Sequence, residues 1–130
     1  MKKLFTLLAL TISFSMNAQM SDNSSGTSAT GSNAVAMGSN TTASGNYSTA
    51  MGYNTTASGT YSISIGRVST ASGDGSTAMG YETTSSGYAS TAIGTATTAS
   101  GDGSTAMGPV SYTHLRAHET GRNLVCRLLL

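Results

Sequence analysis

Glycine returns at every seventh position from Gly31 to Gly108: Gly31, Gly38, Gly45, Gly52, Gly59, Gly66, Gly73, Gly80, Gly87, Gly94, Gly101 and Gly108. A period this short and this strict leaves few folds open. Two kinds of heptad alternate within it. One reads xxSTAMG, as in Asn46–Gly52, Asp74–Gly80 and Asp102–Gly108, with Tyr88–Gly94 differing only in Ile93 for Met. The other reads xxTTASG, as in Ser39–Gly45, Tyr53–Gly59 and Thr95–Gly101. The unit is therefore fourteen residues. A helical coiled coil shares the seven-residue period but not the composition. A glycine in every heptad costs about 1 kcal/mol each relative to alanine, and Ser and Thr are poor helix formers. Short strands with glycine-marked corners fit instead, because glycine permits positive φ and close backbone approach. The expected fold is all-β: a parallel β-roll, or solenoid, of 14-residue coils with two short strands each, stacked at about 4.8 Å per coil.

Side chains alternate across a strand, so position within the heptad predicts face. The third and fifth positions are small in both heptad types (Ser48 and Ala50, Thr55 and Ala57) and suit a narrow interior. The fourth and sixth differ between types. In one they are apolar or β-branched, and Val35, Met37, Met51, Ile63, Ile65, Met79, Ile93 and Met107 form rows expected to face other copies of the chain. In the other they are polar, running from Thr42 and Ser44 to Thr98 and Ser100. An exposed stripe of Met and Ile marks an interface; the competing arrangement puts these side chains inside a fatter roll with no self-association. The two positions after each glycine vary most. They carry Tyr47, Tyr53, Tyr61, Arg67, Tyr81, Glu82 and Tyr88, the candidate ligand-contact residues at the corner tips.

Composition narrows the function. Only 8% of residues are charged and 6% aromatic, and Trp is absent. Such a chain either stays disordered or forms a repeat fold held by backbone hydrogen bonds, and the register selects the latter. Between Gln19 and Gly108 the one basic residue, Arg67, stands against Asp22, Asp74, Glu82 and Asp102, so nucleic-acid binding has no electrostatic support. That stretch has no His, Cys or Pro, which removes zinc and thiol chemistry and leaves Ser without an activating base. No enzyme and no cofactor is expected. Asp74 and Asp102 sit in two GDGS corners that suggest calcium loops, but one carboxylate per loop is too few oxygens.

The two ends read differently. Residues 1–18 have the form of a secretory signal peptide: Lys2 and Lys3, an apolar run from Leu4 to Phe14, then small and polar residues. Residues 19–30 form a Ser-rich lead-in to the repeat at 31–108. From Pro109 the composition changes. Val110–Thr120 and Leu124–Leu130 back-translate, in one frame, to sequence resembling the two ends of a sequencing-library adaptor, with the gap of a variable index between them. Residues 109–130 are thus expected to be an adaptor-derived tail on a truncated gene. His114, His118 and Cys126 all lie there and are discounted as ligands.

The S-[TV]-A-[MI]-G signature in alternate heptads, carried by Ala34–Gly38, Ser48–Gly52, Ser76–Gly80, Ser90–Gly94 and Ser104–Gly108, resembles the YadA-like head of trimeric autotransporter adhesins. The resemblance covers residues 31–108. It implies a left-handed roll, a homotrimer, export to the bacterial cell surface or outer membrane, and attachment to host matrix, cells or other surfaces, with no membrane contact by the head itself. Family members also carry a coiled-coil stalk and a barrel anchor; truncation at the adaptor junction accounts for their absence. Two other roles fit a secreted solenoid. The Thr-x-Ser array resembles the hydroxyl faces of ice-binding proteins, and a repeat that binds nothing could space a distal tip.

Overall fold

The structure is a computed structural model and describes residues 20–21, 25–109 and 112–113. The leader at residues 1–18 lies outside the described residues, as does most of the tail. In chain order the strands are β1 (Met20–Ser21), β2 (Ser28–Ala29), β3 (Val35–Ser39), β4 (Thr42–Ala43), β5 (Thr49–Tyr53), β6 (Thr56–Ala57), β7 (Ile63–Arg67), β8 (Thr70–Ala71), β9 (Thr77–Tyr81), β10 (Thr84–Ser85), β11 (Thr91–Thr95), β12 (Thr98–Ala99), β13 (Thr105–Pro109) and β14 (Tyr112–Thr113). Odd-numbered strands make one seven-stranded parallel sheet and even-numbered strands the other. The chain alternates between the sheets, and from β2 onward each strand pairs with the one fourteen residues on: Thr49 with Ile63, Met51 with Ile65, Thr42 with Thr56, whereas β1 pairs with β3 at an offset of fifteen. This is the expected solenoid of about six 14-residue coils, with every described strand in a parallel ladder.

The two halves of a coil are unequal. STAMG strands are five residues long and TTASG strands two. The glycine ending a TTASG heptad marks a corner, as expected. The glycine ending an STAMG heptad does not: Gly52 lies inside β5, and the chain turns one to two residues later. The ladders also reach past 31–108. Met20 pairs with Val35, Ser28 with Thr42, Pro109 with Thr95 and Tyr112 with Thr98.

Both corners turn the same way. The second residue after each glycine adopts left-handed backbone, from Asn33 (φ 56°) and Asn40 (φ 56°) through Tyr47 (φ 57°) and Val68 (φ 56°) to Gly103 (φ 63°). One such residue reverses direction without a long loop, and its amide still bonds the coil before it: Tyr47 N–H to Ser32 O at 2.8 Å, Asn54 N–H to Ser39 O at 2.9 Å. The ladder of backbone bonds thus continues around the corners, which suits a chain with few large apolar groups.

Glycine serves two purposes at its seventh position. At Gly52 the backbone has φ +125°, and a Cβ would lie 2.0 Å from the carbonyl oxygen of Gly66 in the next coil. At Gly45 the backbone is ordinary, but a Cβ would still lie 2.0 Å from the oxygen of Gly59. Any side chain at either position would force the coils apart.

The interior holds the third and fifth positions of every heptad and no large side chain. Ala43, Ala50, Ala57, Ala71, Ala78, Ala92 and Ala99 are fully buried, beside Thr41, Ser48, Thr55, Ser62, Ser69, Ser76, Thr83, Ser90 and Thr97. The fatter roll with Met and Ile inside is therefore not the fold. Most buried hydroxyls at the third position, including Thr41, Ser48, Thr55, Thr83 and Thr97, make no hydrogen bond. Ser69 and Ser90 do: with Ser64 and Ser85 in place of the usual Ala at the fifth position, Ser64 Oγ lies 3.0 Å from Ser69 Oγ and Ser85 Oγ 2.6 Å from Ser90 Oγ, and Ser90 Oγ also donates to Gly87 O at 2.8 Å.

Candidate functional site

With the interior filled by small residues, the fourth and sixth positions must lie outside. On the odd-stranded sheet they form two ladders spaced by one coil. Val35, Met51, Ile65 and Ile93 are half-buried by neighbours in their own ladder, while Met37 (37%), Ile63 (38%), Met79 (37%) and Met107 (64%) are exposed. All eight expected apolar positions therefore stand on one outer face. The opposite face presents Thr42, Thr56, Thr70, Thr84 and Thr98, half-buried, beside exposed Ser44, Ser58, Ser72 and Ser86.

The corner residues divide into two columns along opposite edges of the apolar face. The first edge precedes the five-residue strands and carries Tyr47, Tyr61 and Tyr88, all more than half exposed. The Tyr47 and Tyr61 rings stack one coil apart, with centroids 5.0 Å apart and planes 9° from parallel. The second edge follows those strands and carries Tyr53, Arg67, Tyr81 and Glu82. There the Arg67 guanidinium lies between two rings, 5.9 Å from the Tyr53 centroid and 5.2 Å from that of Tyr81. Stacking of this kind suits a planar, weakly hydrated cation. The Tyr81 hydroxyl is pushed above its ordinary pKa, first by its hydrogen bond to Glu82 and then by that carboxylate's charge, while Arg67 pulls the other way. The seven candidate contact residues are thus two groups, not one patch.

Sequence reasoning missed the polar bridges that tie the corners together. Asn46 Oδ1 accepts from the Ser32 amide at 3.1 Å, Asp74 Oδ1 from the Thr60 amide at 2.8 Å, and Asp102 Oδ1 from the Tyr88 amide at 3.1 Å. These acceptors recur every second coil, so the corner has twice the period of the strands. The repeated GDGS was the available signal; each carboxylate commits an oxygen to a backbone amide of the coil before it. At the other edge Asn40 Nδ2 donates to Asn54 Oδ1 at 2.8 Å, one coil apart. Among the described residues no three His, Cys, Asp or Glu side chains gather as a metal site would require.

Comparison with known families gives one result. The YadA head domain repeat model, which spans two copies of the repeat, matches three consecutive stretches at residues 29–55, 57–83 and 85–111. Successive matches advance by two coils, the same step as the side-chain bridges at the first edge. No curated protein matches the chain.

Proposed function

Because this chain belongs to the YadA head domain repeat family, we propose that its solenoid is the head of an exported surface adhesin that works as three identical chains packed on their apolar faces. The family is one of structural adhesin repeats of the trimeric autotransporter type. Attachment to matrix, cells or other surfaces is the role this reading assigns to the assembled head, with no catalytic step. Tyrosines left exposed at the corners of the single chain offer contact area at low entropic cost. The leader at residues 1–18 would direct export.

The observation that carries the proposal is the position of the Met and Ile rows. They sit on the outside of a roll whose interior already excludes them, on the sheet with the longer strands, and among the described residues none covers them. Full burial of such a side chain is worth about 1.5–3 kcal/mol, and the part still exposed on a single chain is recovered only on association. Repetition over successive coils lets modest gains accumulate against the cost of bringing chains together. Sedimentation of the exported protein, with and without Ile65→Asn and Ile93→Asn together, tests this. The parent protein is expected to sediment as a trimer and the double variant as a folded monomer. A parent protein that remains monomeric at high concentration refutes the proposal.

A further inference from the structure

We propose that Arg67 of one chain pairs with the Asp74 carboxylate of the adjoining chain, closing the seam between neighbouring copies. This inference rests on the self-association put forward above. In a ring of three built around an axis along the solenoid, every chain turns the same face inward. Contact is then head to tail, so the second edge of one chain meets the first edge of the next. Ring closure allows no shift along the axis, so residues of the same coil meet at the same height.

Strand β7 fixes which residues those are. It runs from the first edge, just after Thr60 and Tyr61, to Arg67 at the second. Arg67, half a coil past Thr60, therefore stands between the heights of the adjoining chain's Thr60 and Asp74. Asp74 belongs to the next coil, about 4.8 Å further along. Its carboxylate, however, is drawn back to the Thr60 level by the 2.8 Å bond from the Thr60 amide. The anion is held within about half a coil, ~2.4 Å along the axis, of the cation.

Arg67 is prepared for such a partner. The Tyr53 and Tyr81 rings flank the guanidinium carbon, one from each neighbouring coil, which leaves N–H donors for a carboxylate. Among the described residues no carboxylate or other acceptor engages them. Arg67 is the sole cation between Gln19 and Gly108. Of the other acids in the solenoid, Glu82 is on the same edge as Arg67 and bonds Tyr81. Asp102 lies two coils, about 10 Å, beyond Asp74. Charge complementarity therefore selects one pairing, and Arg67 becomes a seam residue in place of a ligand contact.

The trimer dissociation constant of the full chain, measured by analytical ultracentrifugation, tests the pairing. Asp74→Asn keeps the oxygen that accepts from Thr60 and removes only the charge; Arg67→Gln removes the partner charge. An exposed ion pair is worth up to about fivefold in an equilibrium constant, so three seams give up to about a hundredfold weaker trimer for either variant. The two variants combined should weaken it no further, because they remove the same contact. Raising the salt concentration should weaken the parent toward the variants. A parent trimer unaffected by Asp74→Asn, or two effects that multiply in the double variant, overturns the pairing while leaving self-association intact. A parent protein that never associates removes the premise as well.

Discussion

Val68 is a β-branched residue in a backbone conformation that such residues avoid. Its φ is 56°, in a column where other coils use Gly26, Asn40 and Asn54 as well as Glu82 and Ala96. Left-handed backbone costs an ordinary L-residue about 1–2 kcal/mol, and branching at Cβ puts valine at the unfavourable end. Asparagine tolerates the region because its short amide can bond locally. The substitution Val68→Asn forgoes some apolar burial, but Val68 is already 37% exposed, so that loss is roughly 0.5–1 kcal/mol. A new amide next to Asn54 would also extend the Asn40–Asn54 bond by one coil, worth about 0.5 kcal/mol. The expected net gain is about 1 kcal/mol. Urea denaturation followed by far-UV circular dichroism, at one fixed protein concentration because association adds stability, reads this as a midpoint about 0.3–1 M higher with unchanged slope. The reciprocal change, Asn54→Val, should lower the midpoint by a similar amount. A Val68→Asn protein no more stable than the parent would show that the corner imposes no conformational selection.

Three further substitutions probe the rest of the coil. Gly52→Ala combines φ +125° with a Cβ 2.0 Å from the Gly66 oxygen, so it should cost at least about 3 kcal/mol and expose the adjacent coils to limited proteolysis; Ala tolerated there would contradict the close approach. Thr55→Val removes a buried hydroxyl that makes no hydrogen bond and should stabilise by about 1 kcal/mol in the same denaturation assay, whereas Ser85→Ala breaks the bond to Ser90 and should destabilise by about as much; equal signs would refute the distinction. Ultraviolet titration of the phenols should show the Tyr81 component, identified by its loss in Tyr81→Phe, ionising at lower pH once Glu82→Gln removes the carboxylate. Because the Tyr81 pKa is raised on folding, the stability it contributes is present below the ordinary tyrosine pKa of about 10 and is lost as pH rises through the folded value.

Most of the architecture is legible in the residues because alternation and period act together. The small third and fifth positions, such as Thr55 and Ala57, had to be interior once strands were assigned, and that pushed Met51 and Ile65 outside. The corner geometry is less legible. The left-handed position is announced by Asn33, Asn54 and Gly75 but disguised at Tyr47, Val68 and Ala89, where the ladder bonds outweigh local preference. Gly52 looks like a corner residue and is instead a point of backbone contact inside a strand, because a close approach and a turn select the same amino acid. The bridges from Asn46, Asp74 and Asp102 were hidden because they join residues fourteen apart, and only the stacked coils bring them together.

Each coil touches only the coil above and the coil below, and it does so through the same pairs of positions fourteen residues apart. A gene built this way can gain or lose length by copying errors in steps of fourteen codons without creating any new kind of contact. Steps of twenty-eight also keep the corner bridges in phase. A slip of seven codons is different: it would place Thr-x-Ser where Met and Ile belong and split the apolar rows. Solenoid length is then a quantity that copying errors can adjust in whole coils, while the cross-section stays the same.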